Sequence, residues 1–168
     1  MSDPTVLILM GSDSDLPTME ETAKILTDFG VPFEMRISSA HRSPERTAKL
    51  AHEAAGRGIQ LIIAAAGMAA HLAGVVAAET TLPVIGVPMG GGPLSGMDAL
   101  YATVQMPGGI PVATMAIGKA GAKNAGLFAV QILSLSNPDL RTKFVAYRLQ
   151  MAAEVEQKDE ALQAARRG

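Results

Sequence analysis

The chain has 168 residues, no Cys and no Trp, and 14 basic against 16 acidic side chains give a formal charge of −2. That length fits one domain able to bury a core without disulfides or a structural metal. An apolar fraction of 48 % with 18 % charged residues excludes intrinsic disorder, and the near balance of charge and the scarcity of aromatics (two Tyr, four Phe) argue against a nucleic-acid partner.

The start, Met1-Ser2-Asp3-Pro4, offers no basic segment before an apolar run, so no secretory leader is expected and the cytoplasm is the expected compartment. Val6–Met10 is a continuous apolar run of strand length, as in a strand covered on both faces. Met19, Ala23, Leu26 and Phe29 then recur three or four apart, with Gly30 as a stop, which predicts a helix. Phe33–Ile37 predicts a second strand. Ser43 as cap and Pro44 as first residue open a helix running to about Arg57.

From Gly58 to Ala78 no Lys, Arg, Asp or Glu occurs, which raises the question of a membrane span. Gln60, His71 and three glycines interrupt the stretch, and its Leu, Ile and Val residues fall at 59, 61–63, 72 and 75–76. It therefore reads as a buried strand, Leu61–Ala65, a glycine turn and a buried helix, Ala69–Glu79, and no membrane partner is expected. Strands at Val84–Val87 and Val112–Ile117 and helices at Gly96–Val104 and Lys119–Leu133 follow, the last with Ala125, Phe128, Ala129 and Ile132 on one face. Asn137-Pro138 opens one more helix, over 137–164, whose apolar stripe is Leu140, Phe144, Tyr147, Met151 and Val155. That stripe either packs on the chain's own domain or lies against another subunit.

Five strands alternating with helices imply a parallel sheet with right-handed crossovers, hence a single three-layer α/β domain of flavodoxin-like or Rossmann-like kind. A ligand of such a sheet sits at the carboxyl ends of the strands, so the loops there carry the chemistry. The first, Gly11-Ser12-Asp13-Ser14-Asp15, opens a helix where free backbone N–H groups and the positive end of the helix dipole receive an anion, with the Ser12 and Ser14 hydroxyls as further donors. It has neither the Lys of a Walker loop nor three dinucleotide-binding glycines. One phosphate on these donors, with Asp15 taking ribose hydroxyls, suits a nucleoside monophosphate; the alternative is that Asp15 only caps the helix.

The second loop, Ser38-Ser39-Ala40-His41-Arg42-Ser43-Pro44, joins an imidazole that exchanges protons near neutral pH to a guanidinium that grips phosphate as a fork of donors. The third, Ala65-Ala66-Gly67-Met68-Ala69-Ala70-His71-Leu72, has small side chains that leave room and exclude water. His71 is either a satisfied core histidine or part of the site, and His52 reads as solvated. No spacing of His, Asp and Glu suggests a metal site. Gly86-Val87-Pro88, Gly90-Gly91-Gly92-Pro93 and Gln105–Pro111 fix unusual turns that suit closure over a flat ring. The candidate ligand contacts are thus Ser12, Ser14 and Asp15; Ser39, Ala40, His41 and Arg42; and Gly67, Ala70 and His71.

Gly-Ser-Asp-Ser-Asp at 11–15, Ser-Ala-His-Arg-Ser-Pro at 39–44, Ala-Gly-Met-Ala-Ala-His-Leu at 66–72 and Val-Gln-Met-Pro-Gly-Gly-Ile-Pro at 104–111 together resemble the PurE family of purine biosynthesis. The resemblance covers Val6 to Leu133, and its last motif is similar to the mutase class rather than the animal-type carboxylase class. It implies a flavodoxin-like fold, an octamer, no cofactor, and interconversion of 5-(carboxyamino)imidazole ribonucleotide with 5-amino-1-(5-phospho-D-ribosyl)imidazole-4-carboxylate. By matching position it implies that Ser12, Asp15 and Arg42 bind the phosphoribosyl part and that His41 is the acid and base.

Overall fold

A computed structural model describes residues 3–167; Met1, Ser2 and Gly168 lie outside it, so the start read above is covered only from Asp3 onward. Every residue of β1 (Val6–Met10) is buried, as its unbroken apolar run requires of a central strand. The helix α1 (Leu16–Phe29) ends where Gly30 takes φ 73°, a left-handed cap that returns its N–H to Leu26 and Thr27. Then come β2 (Phe33–Ile37), α2 (Pro44–Ala54), β3 (Leu61–Ala66), α3 (Leu72–Glu79), β4 (Val84–Pro88), α4 (Met97–Val104), β5 (Ala113–Thr114), α5 (Lys119–Ser134) and α6 (Pro138–Arg167).

The five strands are parallel in the order β2-β1-β3-β4-β5. The chain leaves β1 toward β2 and then returns across it to β3, so the loops after β1 and β3 part from each other and open a crevice. Leu7 and Leu9 point to the face that α2 and α3 cover, joining Ala51, Ala54, Ile62, Ala64, Leu72 and Val76 in one core. Val6, Ile8 and Met10 point to the other face, where α1 and α5 meet through a bond from Thr22 Oγ1 to the Ala122 carbonyl at 2.6 Å. Gly86 is required by α4: a Cβ there would run into the Thr103 side chain and come within 3.0 Å of Val112.

Three local expectations differ from the structure. The third helix begins at Leu72 rather than Ala69, because Met68 takes φ 53° and the N–H groups of Ala70 and His71 bond to carbonyls two residues back. The fifth strand shrinks to Ala113–Thr114, since at the sheet edge only β4 is available to pair and Pro111 brings no N–H. Ser43 precedes α2 but its hydroxyl does not cap it; it donates to the Ser39 carbonyl at 3.0 Å and accepts the Ser39 N–H at 3.2 Å. His52 is exposed as read, yet its Nε2 lies 2.6 Å from a Glu79 carboxylate oxygen, tying α2 to α3.

On β2, Glu34 sits 2.6 Å from Arg57 and 3.6 Å from Arg36. The Arg57 hydrogen bond, helped by its charge and by Arg36, holds the Glu34 carboxyl below its ordinary value of 4.5 against an opposing push from burial. A carboxyl lowered in the folded state stabilises above its unfolded value, and that contribution fades as pH falls below about 4.5. Glu34→Gln should therefore cost about 1 kcal/mol in urea unfolding at pH 7, discounted for partly exposed partners. The gap between variant and parent should narrow as the pH is taken down from 4.5 through the lowered value of the folded carboxyl; a gap that does not depend on pH would assign the loss to packing.

The described residues fall into two compact units with the boundary between Ala129 and Val130. In the second, Asn137 caps α6 through a bond from the Leu140 N–H to its side-chain oxygen at 3.0 Å. α6 is 30 residues long, and of its apolar stripe only Leu140 is buried. Phe144 and Tyr147 are half-buried, and Met151 and Val155 are exposed. No helix among the described residues is long and apolar enough to cross a membrane.

Candidate active site

The loops after four neighbouring strands, β2, β1, β3 and β4, converge at the carboxyl edge of the sheet around a cavity of about 730 Å3. It brings together Ser12, Ser14, Asp15, Ser39, Ala40, His41, Arg42, Gly67 and His71. Of the ten candidate residues only Ala70 is absent from the lining, being buried at 1 % exposure, and its neighbours Met68 and Ala69 take the wall. Gln105–Pro111 do not line the cavity; Met89 and Gly90–Gly92 do.

The first loop folds as one turn of 3-10 helix, Asp13–Asp15, leading into α1. The Ser12 hydroxyl accepts the Ser14 N–H at 3.2 Å and the Ser14 hydroxyl at 2.9 Å, so both Ser side chains stand together. The Ser12 N–H in turn donates to Asp15 Oδ2 at 3.1 Å, which closes a capping box. Asp15 thus precedes α1 without capping it, and its carboxylate turns back to brace the loop. Burial pushes the Asp15 carboxyl up from its ordinary value; the Ser12 N–H pulls it partly back and the neighbouring Asp13 charge adds to the rise.

The second loop is braced by the Ser39–Ser43 bonds and by the Arg42 N–H donating to Ser39 Oγ at 3.2 Å. The Arg42 guanidinium reaches back over the first loop to the Gly11 carbonyl at 3.4 Å. No carboxylate among the described residues pairs with it, so its charge is left for an anion beside the two Ser hydroxyls. His41 Nε2 and His71 Nδ1 lie 2.8 Å apart with the rings edge-on at 89°. His71 is exposed and lines the cavity beside His41, and is not a core histidine.

The third loop supplies an apolar wall of Ala66, Gly67, Met68, Ala69 and Leu72. Met68 is 59 % exposed and holds a positive φ, a conformation that costs a non-glycine residue about 1 kcal/mol or more. A Cβ at Gly92 would stand 3.5 Å from Met68 Cγ, so the loops after β3 and β4 touch across the mouth. Thr18, Met68 and Met89 were not singled out in the sequence. Thr18 lies one turn into α1, on the side facing the crevice, and only the helix phase could have signalled it. Among the described residues no group of His, Asp and Glu is arranged to hold a metal ion.

The family described as AIR carboxylase matches residues 5–154 of this chain. The N5-carboxyaminoimidazole ribonucleotide mutase of Pyrococcus horikoshii is 53 % identical over 160 residues, covering 95 % of this chain and 89 % of the relative. The mutase of the same name from Synechocystis sp. is 59 % identical over 145 residues, covering 86 % and 81 %. Among solved structures, Treponema denticola PurE superposes with a TM-score of 0.86 at 32 % identity, over 95 % of this chain and 98 % of that one.

Proposed function

The chain belongs to the AIR carboxylase family, and from that membership we propose that it is an isomerase of purine biosynthesis. It converts 5-(carboxyamino)imidazole ribonucleotide to 5-amino-1-(5-phospho-D-ribosyl)imidazole-4-carboxylate. The observation that carries this reading is one cavity lined together by Arg42, with which no carboxylate among the described residues pairs, by Ser12, Ser14 and Asp15, by His41 and by a small apolar wall. The phosphate goes to Arg42, Ser12 and Ser14, and the ribose hydroxyls to Asp15. Ser39 and Ala40, with Gly67, Met68 and Ala69 of the third loop, shape the space for the base.

The carbamate C–N bond breaks, its electron pair stays on nitrogen, and His41 gives that nitrogen a proton as CO2 departs. Ring carbon 4 then attacks the same CO2, and His41 takes the proton that this carbon loses. The proton count closes on His41, and no change of oxidation state occurs. The apolar wall at Ala66–Ala69 keeps water from CO2 between the two steps. We place the reaction in the cytoplasm.

An ATP-free assay offering the carbamate ribonucleotide, or aminoimidazole ribonucleotide with bicarbonate, tests the reading. A mutase forms the carboxylate from the first. Product from the second alone would make the chain a direct carboxylase, and binding without product would make it a nucleotide sensor.

We further propose that the chain works as a homo-oligomer, an octamer as the resemblance implies, and that α6 is an assembly element. The support is a 30-residue helix with Val145, Leu149, Met151, Val155 and Leu162 exposed. Truncation after Ser136 should yield smaller species in sedimentation and lower activity together. A truncated chain that sediments as the full assembly with full activity would sink this role.

A further inference from the structure

His71 takes no proton in the steps above, yet it makes the only side-chain hydrogen bond of the His41 ring among the described residues. We propose that His71 is a positioning residue. Its Nδ1 accepts a hydrogen bond from the His41 Nε2–H and so presents His41 Nδ1 as the atom that carries the transferred proton. This rests on reading His41 as the acid and base of the reaction.

The direction of the bond follows from the chemistry. When His41 is charged and ready to donate, both of its ring nitrogens carry hydrogen, so Nε2 can only be a donor. A neighbour that donated to Nε2 would have to let go at every turnover. A neighbour that accepts from Nε2 keeps its bond in both forms of His41, because only Nδ1 gains and loses its proton. His41 Nδ1 has no hydrogen-bond partner among the described residues, which leaves it for a ligand in the cavity.

The anchors on both sides are firm. The His71 backbone N–H donates to the Ala69 carbonyl at 2.8 Å and its carbonyl accepts the Val75 N–H at 2.9 Å, fixing the ring at the head of α3. The Ser39–Ser43 bonds fix the loop that carries His41. Between the two, one hydrogen bond of 2.8 Å across an edge-on ring contact removes the freedom of the His41 ring to turn about its own bonds.

Three substitutions separate positioning from mere packing. Asn places an oxygen where His71 Nδ1 stands, Gln places one where Nε2 stands, and Leu offers none. His71→Leu and His71→Gln should each lower kcat about ten- to hundredfold, the cost usual for losing a group that orients another, with KM changed little. His71→Asn should recover most of the loss. Equal kcat in all three variants, or a loss confined to KM, would overturn the proposal.

A second measurement needs no variant to fold and no turnover. With ring-15N histidine, the three His of the chain give a simple spectrum. The resting protein should show a through-hydrogen-bond coupling between His41 Nε2 and His71 Nδ1, with the hydrogen on His41; its absence, or the hydrogen on His71, would overturn the proposal. Normal turnover by His41→Asn would instead remove the acid–base reading on which it rests, whatever the coupling shows.

Discussion

Replacing His41 by Asn is expected to lower turnover by about two to four orders of magnitude while ligand binding survives, the span typical of losing a general acid or base. His41 belongs to the second polar loop, its Nε2 lies 2.8 Å from His71 Nδ1, and it lines the same cavity as the first polar loop and the small apolar wall. Asn keeps the size and polarity of the position but cannot exchange a proton near neutral pH. The groups assigned to phosphate and ribose are untouched, so a fluorescent or calorimetric titration with product should give nearly the parent affinity. The check is kcat and the dissociation constant measured on one preparation. Near-normal kcat would take His41 out of the mechanism, and a proportionate loss of binding would make it a contact instead.

Replacing Arg42 by Lys is expected to raise KM for the ribonucleotide about ten- to hundredfold with a smaller effect on kcat, the scale of one strong hydrogen bond to a charged group. The guanidinium lies over the first loop at 3.4 Å from the Gly11 carbonyl, and no carboxylate among the described residues neutralises it. Lys keeps the charge but loses the planar fork that matches phosphate oxygens. The informative comparison is a substrate analogue without the phosphate, whose KM should hardly change. Equal losses for both ligands would assign Arg42 to holding the two loops together.

The fold was legible where burial is uniform. Val6–Met10 reads as a strand because a central parallel strand wants apolar residues on both faces, and Gly30 marks a helix end because its φ is open to few other residues. It was less legible at edges and turns. Nothing in Val112–Ile117 says that only one neighbour is available to it, and nothing in Ala69–His71 says that Met68 adopts a positive φ and delays the helix. Tertiary contacts decide both.

The candidate site was legible loop by loop, since Gly, Ser, Asp, His and Arg after an apolar run suit anion binding and proton exchange. Their convergence was not. Ser12 and Arg42 become neighbours only because β1 and β2 pair, and His41 meets His71 because β2 and β3 flank β1. The third loop alone left His71 open between core and site, and the contact that decides it spans 30 residues. The backward turn of Asp15 onto Ser12 escaped the sequence for a different reason: a capping box and a helix cap share one sequence signature, and backbone geometry chooses between them.

The central claim is that one cavity breaks the carbamate and returns the same CO2 to ring carbon. Carbamate ribonucleotide labelled with 13C in its carboxyl group, turned over in excess unlabelled bicarbonate without ATP, tests this directly. A cavity closed by the Ala66–Ala69 wall predicts product that keeps most of the label from the first turnover onward. Product carrying the isotope ratio of the bicarbonate would show that CO2 leaves and returns through solvent, and would contradict the account.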